Sequence, residues 1–303
     1  MAKNVTPEMI LINKRNVTKG GKKKQYSYWS DAWLRLRRNP TAVAGLVVIV
    51  LMILMAIFAN FIAPYGAAEV DYTAMCQPPS LAHPFGTDNL GRDLLSRCIY
   101  GSRYSLSLGL ICMLVGLASG GMLGLLAAYF GGKMDTVIMR VMDVFQSIPG
   151  TLMAITVVAA LGTGIPQLVV ALALSNMPMM AKTVRAAIFT VRGSDYIEAA
   201  KSIGAGNMRL MLRHMLPNAL GHIIIYAVGS ISGTIMVIAT LSYIGLGIQP
   251  PDPEWGALLN AGKSYISSYP YMVIFPGLLI MIAVLSLNLF GNGLRDALDP
   301  RLK

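Results

Sequence analysis

The chain has 303 residues, of which 55% are hydrophobic and only 13% are charged. A soluble domain carries about a quarter charged residues, and here the charges crowd between long stretches that have almost none, so a chain solvated largely by lipid is expected and a soluble enzyme is excluded. The net charge of +11 suggests nucleic acid at first sight, but its placement along the chain follows membrane topology instead.

Residues 1–40 are polar and basic. Lys22, Lys23 and Lys24 form a basic arm, and Trp29, Trp33 and Leu36 then recur at helical spacing among Arg35, Arg37 and Arg38. That pattern predicts an amphipathic helix lying flat on the inner surface, tryptophans down and arginines toward anionic lipid. The first apolar run, 41–63, exceeds the about 7–15 residues of a signal-peptide core and starts too late for one. It reads as an uncleaved first span.

An external loop, 64–103, follows. In it Thr87 or Asp88 can cap an amphipathic helix whose apolar face is Leu90, Leu94, Leu95, Cys98 and Ile99. Asp88 with Arg92, and Asp93 with Arg97, are spaced as i, i+4 ion pairs on its other face. Five more spans are predicted at 104–130, 134–161, 165–188, 219–248 and 271–290, each near or above the about 20 residues a crossing needs. Together they make a five-helix core, 104–291, before a tail at 292–303. The third and fourth spans hold Arg140, Asp143, Pro149, Pro178, Lys182 and Arg185, mostly toward their inner ends; proline is tolerated in membrane helices when neighbours satisfy the freed carbonyl. Gly116, Gly120 and Gly124, and separately Gly229 and Gly233, form small-residue stripes suited to close helix packing. Between the last two spans, Pro250, Pro251 and Pro253 stiffen a loop whose Trp255 suits the membrane interface. Cys76, Cys98 and Cys112 have no metal-type spacing, and their odd number argues against a disulfide framework.

Orientation follows from the basic residues. With the N-terminus inside, six spans return the C-terminus inside and place 21 of the 25 Lys and Arg on the inner side. Only Arg92, Arg97, Arg103 and Lys263 fall outside. This bias accounts for the net charge without nucleic acid.

The inner loop 189–218, with the start of the next span, contains GSDYIEAAKSIGAGNMRLMLRHMLPNAL at residues 193–220. Asp195 can cap a short helix with Glu198 as its capping-box partner, Ala199 and Ala200 permit close approach by a partner, and Gly204 supplies a left-handed stop. A second short helix then runs to a break at Pro217. The loop resembles the EAA loop of bacterial ATP-binding-cassette importer permeases: Glu198, Ala199, Ala200, Gly204, Leu216 and Pro217 stand at matching places, with His214 where the general pattern has Ile. Two external segments, HPFGTDNLGRDLLSRCIYGSRYSL and QPPDPEWGALL, and the closing NLFGNGLRDALDPRLK resemble the C-type permeases of dipeptide, oligopeptide and nickel importers.

The resemblance implies an all-α integral membrane fold in the bacterial cytoplasmic (inner) membrane, with 195–203 as a coupling helix docked on an ATPase. It implies a B-type permease partner, two ATPase subunits that bind ATP and Mg, and an external substrate-binding protein. Asp88, Arg92, Asp93 and Trp255 are then candidates for an external gate or docking surface. No residue is expected to be catalytic and no metal or cofactor to be bound by this chain. Other mechanisms find no support. No His is followed by the HExxH pattern of a metalloprotease, and Gly262, Lys263 and Ser264 lack the glycine spacing of a P-loop. A simple channel would need no coupling helix. Cargo is expected to be a short peptide, with nickel or its chelate as the alternative. Ser175, Asn176, Ser230 and Thr234 suit peptide amides, whereas the imidazole, thiolate and carboxylate groups that bare nickel prefers are few: Cys112 and His222 on different helices, and Asp143.

Overall fold

The computed structural model describes residues 28–298, all helical apart from loops and one isolated Thr87–Asp93 bridge. The expected basic arm around Lys22, the side chain of Trp29, and the tail residues Arg301 and Lys303 lie outside what is described.

Helix α1 (Tyr28–Arg38) lies against the C-terminal helix. Ala32 and Leu36 are buried, and Leu36 packs with Ala42 and Ala297, while Trp33 stays 52% exposed. Its inward face therefore meets protein, which modifies the expected face-down contact with lipid alone. Asn39 turns the chain into α2 (Pro40–Ile57), its side chain accepting from the backbone N–H of Thr41 and Ala42. Proline follows at the first helical position, where its missing N–H costs nothing.

The predicted external helix and second span are one 37-residue helix, α3 (Leu94–Phe130). Its cap is Asp93, which accepts from the Ser96 N–H at 2.7 Å, so neither Thr87 nor Asp88 starts it. The predicted third span is broken into α4 (Gly132–Gln146) and α5 (Gly150–Leu161), bent by 82°. Pro149 lies in the three-residue break, where its ring and missing N–H stop α4 from continuing. Helix α6 (Ile165–Arg192) follows.

Glycine sets the central contact. A Cβ on Gly116 would reach Asn176 Cβ at 3.4 Å, one on Gly120 would meet Met177 O at 2.4 Å, and one on Gly124 would meet Ala181 O at 2.2 Å. The α3 stripe therefore packs backbone to backbone on α6. The paired numbers rise together, so α3 and α6 run parallel. The segment between them, α4 and α5, must then travel back along the bundle despite its bend.

Beyond the inner loop, α8 (Asn207–Tyr243) is continuous for 37 residues. The expected break at Pro217 is absent. A π turn over Leu210–Met215 precedes it, with Leu216 N–H bonding Met211 O, and Asn218 Nδ2 donates to His214 O at 2.6 Å. The wider turn accommodates the proline, as π-bulges do. A short helix α9 (Trp255–Gly262) tucks under the end of the bundle where α3 begins, and α10 (Tyr271–Leu298) closes the bundle against α2 and α8.

Of the six expected spans, α2, α3, α8 and α10 are long and apolar enough to cross a membrane, and α4 with α5 would be a fifth. The sixth, α6, has 28 residues but is less apolar, and it is largely enclosed by α3, α5 and α8.

Candidate functional site

The inner loop forms the first part of the site. Helix α7 (Asp195–Ser202) starts from Ser194, not Asp195: Ser194 is the extended residue at the cap, and its hydroxyl turns back to Val191 O. The Asp195–Glu198 capping box is thus displaced. Both carboxylates instead sit in the first turn, where they complement the positive end of the helix. At the other end Gly204 has φ +83°, its N–H bonds Lys201 O at 3.0 Å, and the Ala205 N–H bonds Ala200 O at 3.1 Å. That pair of bonds is a Schellman stop.

The two sides of α7 differ. Ile197 is buried in an inner core with Val184, Ile188 and Val191 of α6, Leu125 and Ala128 of α3, and Met211 and Met215 of α8. Ala200 is also buried, so of the two alanines only Ala199 is free to meet a partner. Outward stand Tyr196 and Glu198, with Ile203 87% exposed, Met208 64% and Leu212 47%. This apolar outer surface was not singled out from the sequence; the i, i+7 spacing of Tyr196 and Ile203 is its signal. Leu216 is half-buried, Pro217 is exposed and His214 is half-buried. Tyr129 of α3 donates to Asn207 Oδ1 at 2.8 Å, and Arg192 Nη1 donates to Ala128 O at 2.8 Å, fixing both ends of the loop to α3.

Behind the loop, α6, α8 and α10 wall a groove of about 1060 Å³. Gly229 and Ser230 lie on its α8 wall, Lys182 on α6, and Asn288 and Arg295 on α10. A Cβ at Gly229 or Gly233 would meet nothing within 4 Å. The Cβ directions of both glycines therefore point into open space and leave a face of α8 uncovered, although the Gly229 backbone lies 3.7 Å from where a Cβ on Gly291 of α10 would stand. Of the expected polar groups, Ser230 reaches the groove, while Thr234 is buried and 3.5 Å from Asn176 Nδ2. Helix α4 braces the α6 wall through Arg185 with Asp135 at 2.5 Å and Lys182 with Asp143 at 2.7 Å.

The external candidates are arranged otherwise than expected. Asp88, Arg92, Asp93 and Trp255 are all buried, so none presents a surface to a docking protein. Asp88 and Arg92 do pair, at 2.7 Å, but Arg97 joins Asp88 at 3.2 Å rather than Asp93. Asp93 is engaged by His83 Nδ1 at 3.0 Å and by its cap bond. Charges that leave water need partners, and here they find one another within a folded external cap. Gly91, at φ +76°, makes this possible, since a Cβ there would lie 1.7 Å from Asp71 O. Trp255 Nε1 donates to Cys98 O at 2.9 Å, and Glu254 caps α9 while accepting from Ser105 Oγ at 3.0 Å. The cap is a rigid plug on α3. Asp88→Asn should leave two guanidiniums short of a counter-charge and cost about 3–5 kcal/mol, read as a lower thermal midpoint in detergent. All three cysteines are free.

Comparison with known proteins shows the family of the chain. Residues 120–303 match the family model of the binding-protein-dependent transport system inner membrane component, and residues 27–79 match the N-terminal TM domain of oligopeptide transport permease C. The glutathione transport system permease protein GsiD of Pectobacterium atrosepticum is 44% identical over 276 residues, covering 91% of this chain and 92% of that protein. The protein of the same name from Escherichia coli is also 44% identical over 276 residues, covering 91% of each. Among solved structures, an inward-facing MetNI methionine ABC transporter chain superposes with a TM-score of 0.56 at 20% identity, over 68% of this chain and 96% of that one. A chain of an amino acid ABC transporter crystallised with histidines gives 0.51 at 17%, over 67% and 94%. These two show the shared fold. With the family models and the GsiD relatives, they identify the chain as a member of the binding-protein-dependent inner-membrane component family: a C-type permease subunit of an ABC importer.

Proposed function

We propose that this permease moves short peptides inward, with α7 as the element through which ATPase subunits drive it. The observation that carries this reading is the two-sidedness of α7: an unpartnered apolar outer surface around Tyr196, Ala199, Ile203 and Met208, and an inner side plugged by Ile197 into the core shared by α3, α6 and α8. A load applied to the outer surface is delivered to the helices that wall the groove, because a close-packed core transmits displacement rather than absorbing it. Asp195, Glu198, Gly204, Leu216 and Pro217 shape this element. ATP and Mg belong to two partner ATPases, and this chain does no chemistry.

The open face of α8 at Gly229 and Gly233 fits close approach by a second, B-type permease, whose surface would turn the groove into a path. An external binding protein delivers the cargo. Six passes place both termini and α7 on the cytoplasmic side. Peptide cargo is supported by the GsiD relatives, named for glutathione, itself a peptide. The groove lining has amide and hydroxyl groups but only His222 as a ligand for bare nickel, with no thiol or carboxylate.

The test is uptake by the reconstituted complex. Tripeptide accumulation in proteoliposomes should require ATP and the binding protein; accumulation without ATP, or of nickel alone, overturns the reading. Topology has its own check. A cysteine at Ala205 should react with an impermeant thiol reagent only from the cytoplasmic side and one at Ser80 only from outside. External labelling at Ala205 would remove α7 from reach of any ATPase.

A further inference from the structure

The groove has a charge asymmetry that packing does not require. Its titratable lining groups are Lys182, His222 and Arg295 together with Tyr226, and no carboxylate is among them. Lys182 is met by Asp143 at 2.7 Å and by Gln146. Arg295 is exposed and makes no ion pair among the described residues. Its neighbour Asp296 is exposed and is not part of the lining. A guanidinium with no ion-pair partner among the described residues, on the wall of a groove, holds an attractive potential for anions, and its planar fork matches a carboxylate.

We propose that this groove is a carboxylate site on the inner part of the path, with Arg295 as its charged contact and Asn292 as a neutral donor, beside Ser230, whose hydroxyl donates to Ala227 O, and that it takes the anionic end of the cargo peptide. The proposal rests on the importer reading and deepens it. The location supports it: the groove is walled by the last turns of α6, through Thr190, and by the middle of α8, from His222 to Ser230. The α6 wall runs almost directly into the 193–206 segment bearing α7, and the core around Ile197 joins that segment to both helices. A shift of α7 therefore changes the width of the site, which couples release of the carboxylate to the ATPase stroke.

The experiment reads the potential directly. In the assembled complex in nanodiscs, a cysteine at Asn292 is modified by an anionic and by a cationic methanethiosulfonate of similar size. Cys98 and Cys112 are buried and Cys76 lies in the external cap; the parent complex supplies the background. The anionic reagent is expected to react about tenfold faster than the cationic one, in the range that local potentials produce. Arg295→Gln should bring the ratio to near one, and Arg295→Lys should retain most of it. Triglycine with a free carboxylate should slow labelling, and triglycinamide should not. Equal rates for the two reagents, or a ratio unmoved by Arg295→Gln, overturn the proposal. Protection by phosphatidylglycerol in the nanodisc, without protection by triglycine, also overturns it and assigns the anion site to lipid headgroups. ATP-dependent tripeptide uptake by the parent complex, with Asn292 intact, is measured separately. Uptake with equal labelling rates retains the importer reading and rejects the site; selective labelling with triglycine protection but no uptake retains the site and rejects the importer reading.

Discussion

Alanine at Gly120 or Gly124 is expected to destabilise the chain by about 1–3 kcal/mol, while alanine at Gly229 or Gly233 leaves it intact or gains up to about 1 kcal/mol. Two effects compete at every helical glycine. Alanine removes backbone freedom from the unfolded chain and improves helix propensity, which favours the substitution. Against that stands the overlap of the new methyl with what it meets. At Gly124 the methyl would meet the Ala181 carbonyl oxygen at 2.2 Å, and at Gly120 the Met177 oxygen at 2.4 Å. Neither oxygen can retreat without moving α6 itself, so the overlap term wins. At Gly116 the nearest atom is a Cβ at 3.4 Å, and the two terms nearly cancel. At Gly229 and Gly233 there is no overlap, so propensity decides the sign. Thermal midpoints of the isolated chain in detergent should rank Gly124→Ala and Gly120→Ala lowest, Gly116→Ala near the parent, and the α8 variants at or above it. A drop at Gly233 as large as at Gly124 would mean the α8 face is packed after all. In the complex, the two α8 variants should instead weaken association with the second permease.

The placement of these stripes shows what was legible in the sequence. Apolar length gave the helices, and the charge-poor stretches gave their approximate limits, because burial in lipid requires both. The α3 stripe reads correctly because its partner lies within the chain. The α8 stripe has the same spacing, yet its Cβ directions face open space and only Gly229 has a neighbour, Gly291 of α10, beside its backbone; spacing records that a helix can be approached closely, not by what. The external cap was misread for a related reason. Asp88, Arg92, Asp93 and Arg97 have the periodicity of a solvated helix face, yet Gly91 at φ +76° bends the chain before Asp93 and folds the charges inward. Periodicity assumes a helix; one left-handed residue cancels the assumption. Ile197 and Ile203 differ only in tertiary setting, one seated in the core and one exposed. The sequence marks both as apolar and cannot say which holds α7 and which offers it. The groove is harder still, since Lys182, His222 and Arg295 come from three helices whose register no local pattern encodes.

Valine at Gly204 is expected to abolish transport while leaving the chain in the membrane. Gly204 adopts φ +83° two residues past the end of α7, just after the Ile203 cap, where its own N–H and that of Ala205 close the last turn. A β-branched residue in that conformation costs roughly 1–2 kcal/mol. The strain can be relieved locally, because a Cβ at Gly204 meets nothing within 4 Å and the surrounding backbone is exposed. The bundle therefore survives, but the stop is lost and Ile203 is re-aimed together with the loop to Asn207. Since Ile203 is the most exposed apolar side chain of α7 and its cap, the outer surface is what changes. Asparagine tolerates the left-handed region better than valine, so Gly204→Asn should keep a substantial fraction of transport. Gly206→Ala is the matched control: at φ −68° with nothing within 4 Å, it should be silent. The measurement is ATP-dependent uptake at equal membrane abundance, alongside ATPase stimulation by the loaded binding protein. Loss of both in Gly204→Val, with uptake in the order parent, Gly206→Ala, Gly204→Asn, Gly204→Val, is the expected outcome. Full uptake by Gly204→Val would show that the left-handed stop does not shape the coupling surface, and α7 would lose its role.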